Sequence, residues 1–237
     1  MEAFSVEDRQ AMCDTFSRLL QDMADEPKLR QLLITESGFD QSVWEKMSQL
    51  GLMGILIGPE HGGVGGSLVE VEALMEHAGA YLYGGPVIST CVIAPTILSA
   101  CSDESLAEEC LRAITEGSAI FSVAGCGSSG AWDLPPEVQA VFVDQSWLLT
   151  GTADFVSYAA VANQCLVYAN VDGGKGVFLV DMNENGIALT PHNTDDATIR
   201  LSSMSLDAVV ARQVAGVGEE VMEEALQVAL VALAGEQ

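Results

Sequence analysis

The sequence predicts an α+β chain: an all-helical N-terminal domain, an antiparallel β-barrel or β-sandwich domain, and one trailing helix. Two changes in residue pattern predict this order. Up to Gly117, apolar residues recur at three- and four-residue spacing behind Ser, Asp and Pro start signals. From Ala119 they gather into short alternating runs separated by Gly, Asn and Asp turns, and from Glu219 the helical period returns. The implied domains are residues 1–117, 118–216 and 217–237.

In the first part, Ser5 opens a helix with Glu7 and Asp8 in its first turn, where acids suit the helix dipole. Met12, Phe16, Leu19, Leu20 and Met23 make its apolar stripe. Pro27 opens a shorter helix, and Asp40 caps one carrying Val43, Trp44 and Met47 until Gly51 stops it. Ser67 with Glu70 reads as a capping box before Val71, Leu74, Met75 and Ala78. Tyr81, Tyr83, Gly84, Gly85 and Pro86 break that helix, and Val87 to Ala100 forms an apolar one. Ser102 or Asp103 caps the next, through Leu106, Cys110, Leu111 and Ile114.

Between Leu50 and Ser67 lies a glycine-rich string, LGLMGILIGPEHGGVGGS. As a phosphate cradle it would set backbone N–H groups beside a helix N-terminus, but no Lys follows and the spacing is neither GxxxxGK nor GxGxxG. The favoured reading is a tight connection whose glycines supply positive φ.

The β-segment contains Ala119–Ala124, Val138–Val143, Trp147–Thr150, Phe155–Ser157, Cys165–Ala169, Val177–Val180, Ile187–Thr190, Ile199–Leu206 and Val209–Val214. Turns are expected at Asp144–Ser146, Gly173-Gly174 and Asn185-Gly186. The trailing run from Val221 to Leu233 is apolar nearly all round, so it calls for burial on every side. Another copy, another subunit or further helices would supply that burial; the alternative is folding back on the N-terminal helices.

Composition bounds the function. A charge of −25 in 237 residues leaves few cations for nucleic acid or an anionic membrane. It fits an acidic, solvated surface or an acidic face for a basic partner. No apolar run reaches the ~20 residues of a membrane span, and Met1-Glu2-Ala3-Phe4 lacks a signal-peptide pattern. Six scattered cysteines without CxxC pairs read as reduced, buried thiols of a cytoplasmic protein, not as a zinc site.

The glycine-rich string resembles the LGxxGxxxPExxGGxG signature of acyl-CoA dehydrogenases, and helices, β-domain and bundle helix follow in that family's order. The family continues past the end of this chain into a four-helix C-terminal domain, and the closing string Ala225 to Gln237 resembles the start of that domain's first helix. The resemblance implies FAD between the β-domain and the C-terminal helices, α,β-desaturation of an acyl-CoA thioester, and electron passage to an electron-transferring flavoprotein. A glutamate on the C-terminal helices removes the α-proton in the family, so no catalytic base is nominated here.

Two further family motifs are present in altered form. The strand leading into a TE-x-x-AGSD-like loop appears as Phe121-Ser122-Val123-Ala124-Gly125-Cys126-Gly127-Ser128-Ser129-Gly130, with the Thr-Glu pair replaced by Ala124-Gly125. The NGxKxWIT-like element appears as Gly151-Thr152-Ala153-Asp154-Phe155-Val156-Ser157. The resemblance assigns Val123, Ala124, Ser129, Phe155, Val156 and Ser157 to the flavin and Ser128 and Gly130 to the acyl-CoA. Phe155 stands in for a flat Trp wall, and Ser157 for a Thr donor to the flavin edge. CoA phosphates call for cations, and the β-domain offers only Lys175, Arg200 and Arg212, which would have to converge. Two functions follow: a partial flavoprotein subunit completed by further helices as a homo- or hetero-oligomer, or a non-catalytic assembly subunit with a decayed site. An open cleft lined by Ser129, Phe155 and Ser157 favours the first, and a filled one the second.

Overall fold

The computed structural model describes residues 5–23, 26–130 and 137–237. Its helices are α1 (Val6–Met23), α2 (Glu26–Leu33), α3 (Gln41–Gln49), α4 (Leu68–Ala80), α5 (Ala94–Ser99), α6 (Glu104–Thr115) and α7 (Glu219–Glu236). The run expected as one helix from Val87 to Ala100 is split. A π-helical turn spans Ile88–Ile93 and continues into α5 at Ala94, so the backbone widens next to the β-domain.

The start signals act as the sequence implies. The Asp40 carboxylate accepts from the Ser42 and Val43 N–H groups, and Asp103 accepts from Leu106 N–H at 3.1 Å. The capping box is complete: Val69 N–H donates to Ser67 Oγ, and Ser67 N–H donates to Glu70 Oε2 at 2.8 Å. Glu70 is buried and also holds the Arg9 guanidinium at 2.8 Å, which ties α1 to α4.

The glycine string is a structural turn. Its amides donate to its own carbonyls: Val64 to Gly54 at 2.9 Å, Gly65 to Ile57 at 2.8 Å and Gly66 to Ile55 at 2.7 Å. A Cβ on Gly63 would overlap the Ile57 carbonyl, so the close approach requires glycine. These donors are spent internally and cradle no phosphate.

Strands β1 (Phe121–Ala124), β2 (Gln139–Val143), β3 (Ser146–Ser157), β4 (Gln164–Val171), β5 (Gly174–Asp181), β6 (Ile187–Pro191) and β7 (Leu201–Gln213) form one seven-stranded sheet. Its pairings β4–β5, β5–β7, β7–β3, β3–β2 and β2–β4 close a circuit, so the sheet is a barrel. It is not purely antiparallel. β1 runs parallel to β4, with Phe121 beside Gln164, because β1 enters from the helical side. Two pairs of expected strands are each one long strand. Trp147–Thr150 and Phe155–Ser157 belong to β3, and the register shifts between Leu149/Gly151 and Ala153/Val156 are bulges within the β3–β7 pairing. Asp144 and Gln145 take positive φ in the β2–β3 hairpin, and Gly173 does so between β4 and β5. Asn185-Gly186 is not a hairpin turn, since β6 pairs with β7 instead of β5.

The trailing helix departs from its leading expectation. α7 folds back on α4, the π-turn and α5, burying Met222, Ala225, Ala229 and Ala232. Small residues permit the approach: a Cβ on Gly79 of α4 would overlap the Glu236 carbonyl. Leu230 and Leu233 on its other side remain exposed.

Three clusters form the core: one within the N-terminal helices, one within the barrel, and one joining α5, α6 and α7 to β1, β4 and β5. Two polar contacts fix the junction. Buried Thr90 Oγ1 donates to Phe121 O and accepts from Phe121 N–H, each at 3.0 Å, pinning β1 to the π-turn. Arg200, just before β7, donates to the carbonyls of Leu33 at 3.0 Å and Thr35 at 2.9 Å, closing the C-terminus of α2.

Candidate functional site

At the junction of helices, barrel and α7 lies a cleft of about 450 Å³, within the range of small-molecule sites. Val123 from β1, with Phe155 and Ser157 from β3, form its barrel wall, and Ile88 and Ala229 face them from the π-turn and α7.

The Phe155 backbone explains its exposure. Between the pairs Ala153–Met204 and Val156–Ser202, β3 carries one extra residue, and Phe155 there adopts φ 58°. A bulky residue in the left-handed region costs about 1–2 kcal/mol, and such strain concentrates at functional sites. The bulge leaves the ring 39% exposed while Val156 is fully buried in the barrel core. The ring packs over Gly130 and against His192, centroid to centroid at 5.2 Å. His192 Nε2 lies 2.8 Å from Ser203 Oγ, and Ser203 donates a very short hydrogen bond to Asp154. This polar trio braces the bulge from behind. The Ser203 proton is committed to Asp154, so the trio is no nucleophile relay.

Three of the eight assigned residues thus meet in one cleft: Val123, Phe155 and Ser157. The Ala124 and Val156 side chains are buried in the barrel core, and neither residue is among those lining the cleft. Ser128, Ser129 and Gly130 are not among the cleft's lining residues. Ser128 N–H and Oγ both donate to Glu137 Oε1, at 3.0 and 2.9 Å, which spends the donors expected to meet acyl-CoA. Gly130 serves as the seat of the Phe155 ring.

The cations do not converge. Lys175 pairs with Glu219, Arg212 with Glu109 at 3.0 Å, and Arg200 with backbone carbonyls. Among the described residues no Lys or Arg lines the cleft; its charged side chains are Asp196 and Glu236. Hydrogen bonds from the Thr198 hydroxyl and N–H hold Asp196 below the usual carboxylate range. Burial, with Asp196 nearby, pushes Glu236 up.

The sequence reading missed this second wall. Tyr83, Gly84 and Gly85 read only as helix breakers, and Tyr158, Asp196 and Glu236 carried no motif.

FAD can be tested against these groups. The barrel wall offers a planar ring at Phe155 and, at Ser157, a half-buried hydroxyl with no hydrogen-bond partner among the described residues. Both fit the edge and face of a flavin. A second cavity of about 480 Å³ opens along α7, beside Tyr168, Lys175 and Leu226, with Val123, Ala229 and Leu233 shared between the two. No helix among the described residues is long and apolar enough to cross a membrane.

Residues 6–118 match the family model for the acyl-CoA dehydrogenase N-terminal domain. The acyl-CoA dehydrogenase FadE27 of Mycobacterium tuberculosis is 30% identical over 191 residues, 79% of this chain and 50% of that protein. Among solved structures, the ChsE4-ChsE5 complex of Mycobacterium tuberculosis superposes with a TM-score of 0.87 at 25% identity, covering 100% of this chain and 64% of the matched one. A Bacillus anthracis acyl-CoA dehydrogenase complexed with FAD shares the fold at a TM-score of 0.86 and 18% identity, covering 99% of this chain and 42% of that one. The chain thus spans about half the length of the curated relative it matches. Helical turn, barrel and trailing helix agree with these matches in order and in shape, and the chain belongs to the acyl-CoA dehydrogenase family.

Proposed function

We propose that this chain supplies the helical and barrel walls of a shared FAD and acyl-CoA site, completed by further bundle helices in a homo- or hetero-oligomer. The activity is α,β-desaturation of a fatty or steroidal acyl-CoA thioester in the cytoplasm, with electrons passing to an electron-transferring flavoprotein. The observation that carries this reading is the open cleft joining Val123, Phe155 and Ser157 at the meeting point of helices, barrel and α7. Bound FAD supplies the hydride acceptor. Phe155 gives the flavin a flat wall and Ser157 a hydrogen-bond donor, while Val123 and Ile88 keep water from the thioester.

A second reading, an assembly subunit with a decayed site, draws on the internal use of Ser128 and on the unconverged cations. Visible absorbance separates the two. Purified alone, the chain should be nearly colourless, and it should gain flavin absorbance when co-purified with a chain supplying the remaining helices. That absorbance should fall in Phe155→Ala. A complex whose flavin content ignores Phe155→Ala and Ser157→Ala would establish the assembly role instead.

A further inference from the structure

β2 is an edge strand without the features that ordinarily protect one. It pairs with β3 along its whole length, from Gln139–Thr150 to Val143–Ser146, but meets β4 only at Gln139–Asn170. At that bridge the Asn170 N–H donates to Val138 O at 2.9 Å. Backbone groups point alternately to the two sides of a strand, so those of Ala140 and Phe142 face the same way as Val138. β4 ends at Val171, and no described strand pairs with β2 beyond the bridge. The Phe142 N–H and C=O therefore offer a pairing site at the edge. Such edges are usually blunted by Lys, Pro or a bulge. The run Gln139-Ala140-Val141-Phe142-Val143 has none of these.

The surface around the edge is apolar and rimmed by acids. Val141 is 57% exposed, Phe142 58% and Val143 43%. Val141, Leu148 and exposed Val210 stand side by side on β2, β3 and β7. The Phe142 ring is held against Trp147, centroids 5.2 Å apart, and Trp147 rests on buried Phe178. A contiguous exposed apolar band of this kind marks an interaction surface. Asp144 follows Val143 directly, and Asp172 lies two residues past the Asn170 bridge; both are exposed. Between Arg112 and Lys175 the sequence contains no Lys or Arg. The cations of β5 and β7, Lys175 and Arg212, are already paired with Glu219 and Glu109.

We propose that β2 accepts an extended segment of a partner protein as an added strand, one in which apolar residues alternate with Lys or Arg. Strand addition satisfies the Phe142 backbone groups, the apolar residues cover the Val141 row, and the cations meet Asp144 and Asp172. The same chemistry disfavours a second copy. β2 against β2 would bring the acids of both copies to one seam with no cation from this segment, in a chain of net charge −25. None of these residues lines the cleft, so the proposal stands apart from the flavin reading.

Fluorescence anisotropy of the full chain with a labelled peptide of about eight residues, Val and Lys alternating, tests this. The comparison peptide has the same charge but proline in place of its central valines, so it can cover an acidic surface without adding a strand. The alternating peptide should bind roughly tenfold tighter, the scale of two main-chain hydrogen bonds, and should protect the Phe142 amide from exchange. Val141→Lys should reduce its affinity to that of the proline peptide, with folding checked by circular dichroism. Val141→Thr keeps the β-branched shape and should reduce it less. Equal binding of the two peptides, an unprotected Phe142 amide, or a preference that survives Val141→Lys overturns the proposal. Concentration-dependent dimerisation that Val141→Lys abolishes would also overturn it, by giving the edge to a second copy.

Discussion

The Phe155 ring lies over Gly130 so closely that a Cβ at Gly130 would stand 3.2 Å from Cε2. Both residues take positive φ, Phe155 58° and Gly130 70°, so a strained bulge meets a left-handed glycine at the barrel wall of the cleft. Gly130→Ala meets the ring and an unfavourable backbone together. It should cost about 1–2 kcal/mol of stability and weaken FAD binding about tenfold by displacing the ring. Thermal melts and flavin fluorescence titration check the two effects separately.

The α4–α7 contact is the next point of failure. A Cβ on Gly79 would overlap the Glu236 carbonyl, and backbone cannot yield as a side chain can. Gly79→Ala should therefore destabilise the fold by about 1–3 kcal/mol. Amide exchange should accelerate along α7 before it does in the barrel.

Arg200 holds α2 through carbonyls of Leu33 and Thr35 and fills the space beside Gly38, where a Cβ would lie 2.8 Å from the guanidinium. Arg200→Ala should cost about 2 kcal/mol, the scale of charge-assisted hydrogen bonds. Arg200→Lys should recover little of it, because one ammonium cannot span the carbonyls met by the planar fork.

Glu236 gives a pH signature. Burial, then Asp196, raises its folded pKa above the ordinary 4.5. The folded state therefore holds the proton more tightly than the unfolded state, and stability falls as pH rises through the window above that value. Glu236→Gln should raise the melting temperature near neutral pH, with the gain vanishing at about pH 3, where both states are protonated. A gain that persists in acid would assign the effect to packing.

Local signals made the helices legible. Asp40, Ser67 and Asp103 cap where their side chains reach backbone N–H groups within three residues, and that is a property of sequence. The bulge at Phe155 was not legible, because pairing with Met204 and Ser202 creates it and a run of β-formers does not reveal its register. The same distance in sequence hid α7. Its apolar girth called for partners, but that α4 would provide them depended on Gly79, which belongs to no motif. Of the site, the family-like motifs located the Phe155 wall; the facing wall of Tyr158, Asp196 and Glu236 stayed hidden because it assembles residues distant in sequence that carry no motif.

FAD titration of the purified chain decides whether Phe155 and Ser157 form a flavin wall. Saturable binding with Kd on the order of tens of micromolar is expected, weakened at least tenfold by Phe155→Ala and measurably by Ser157→Ala. Binding that is absent, or that neither substitution changes, would rule that wall out.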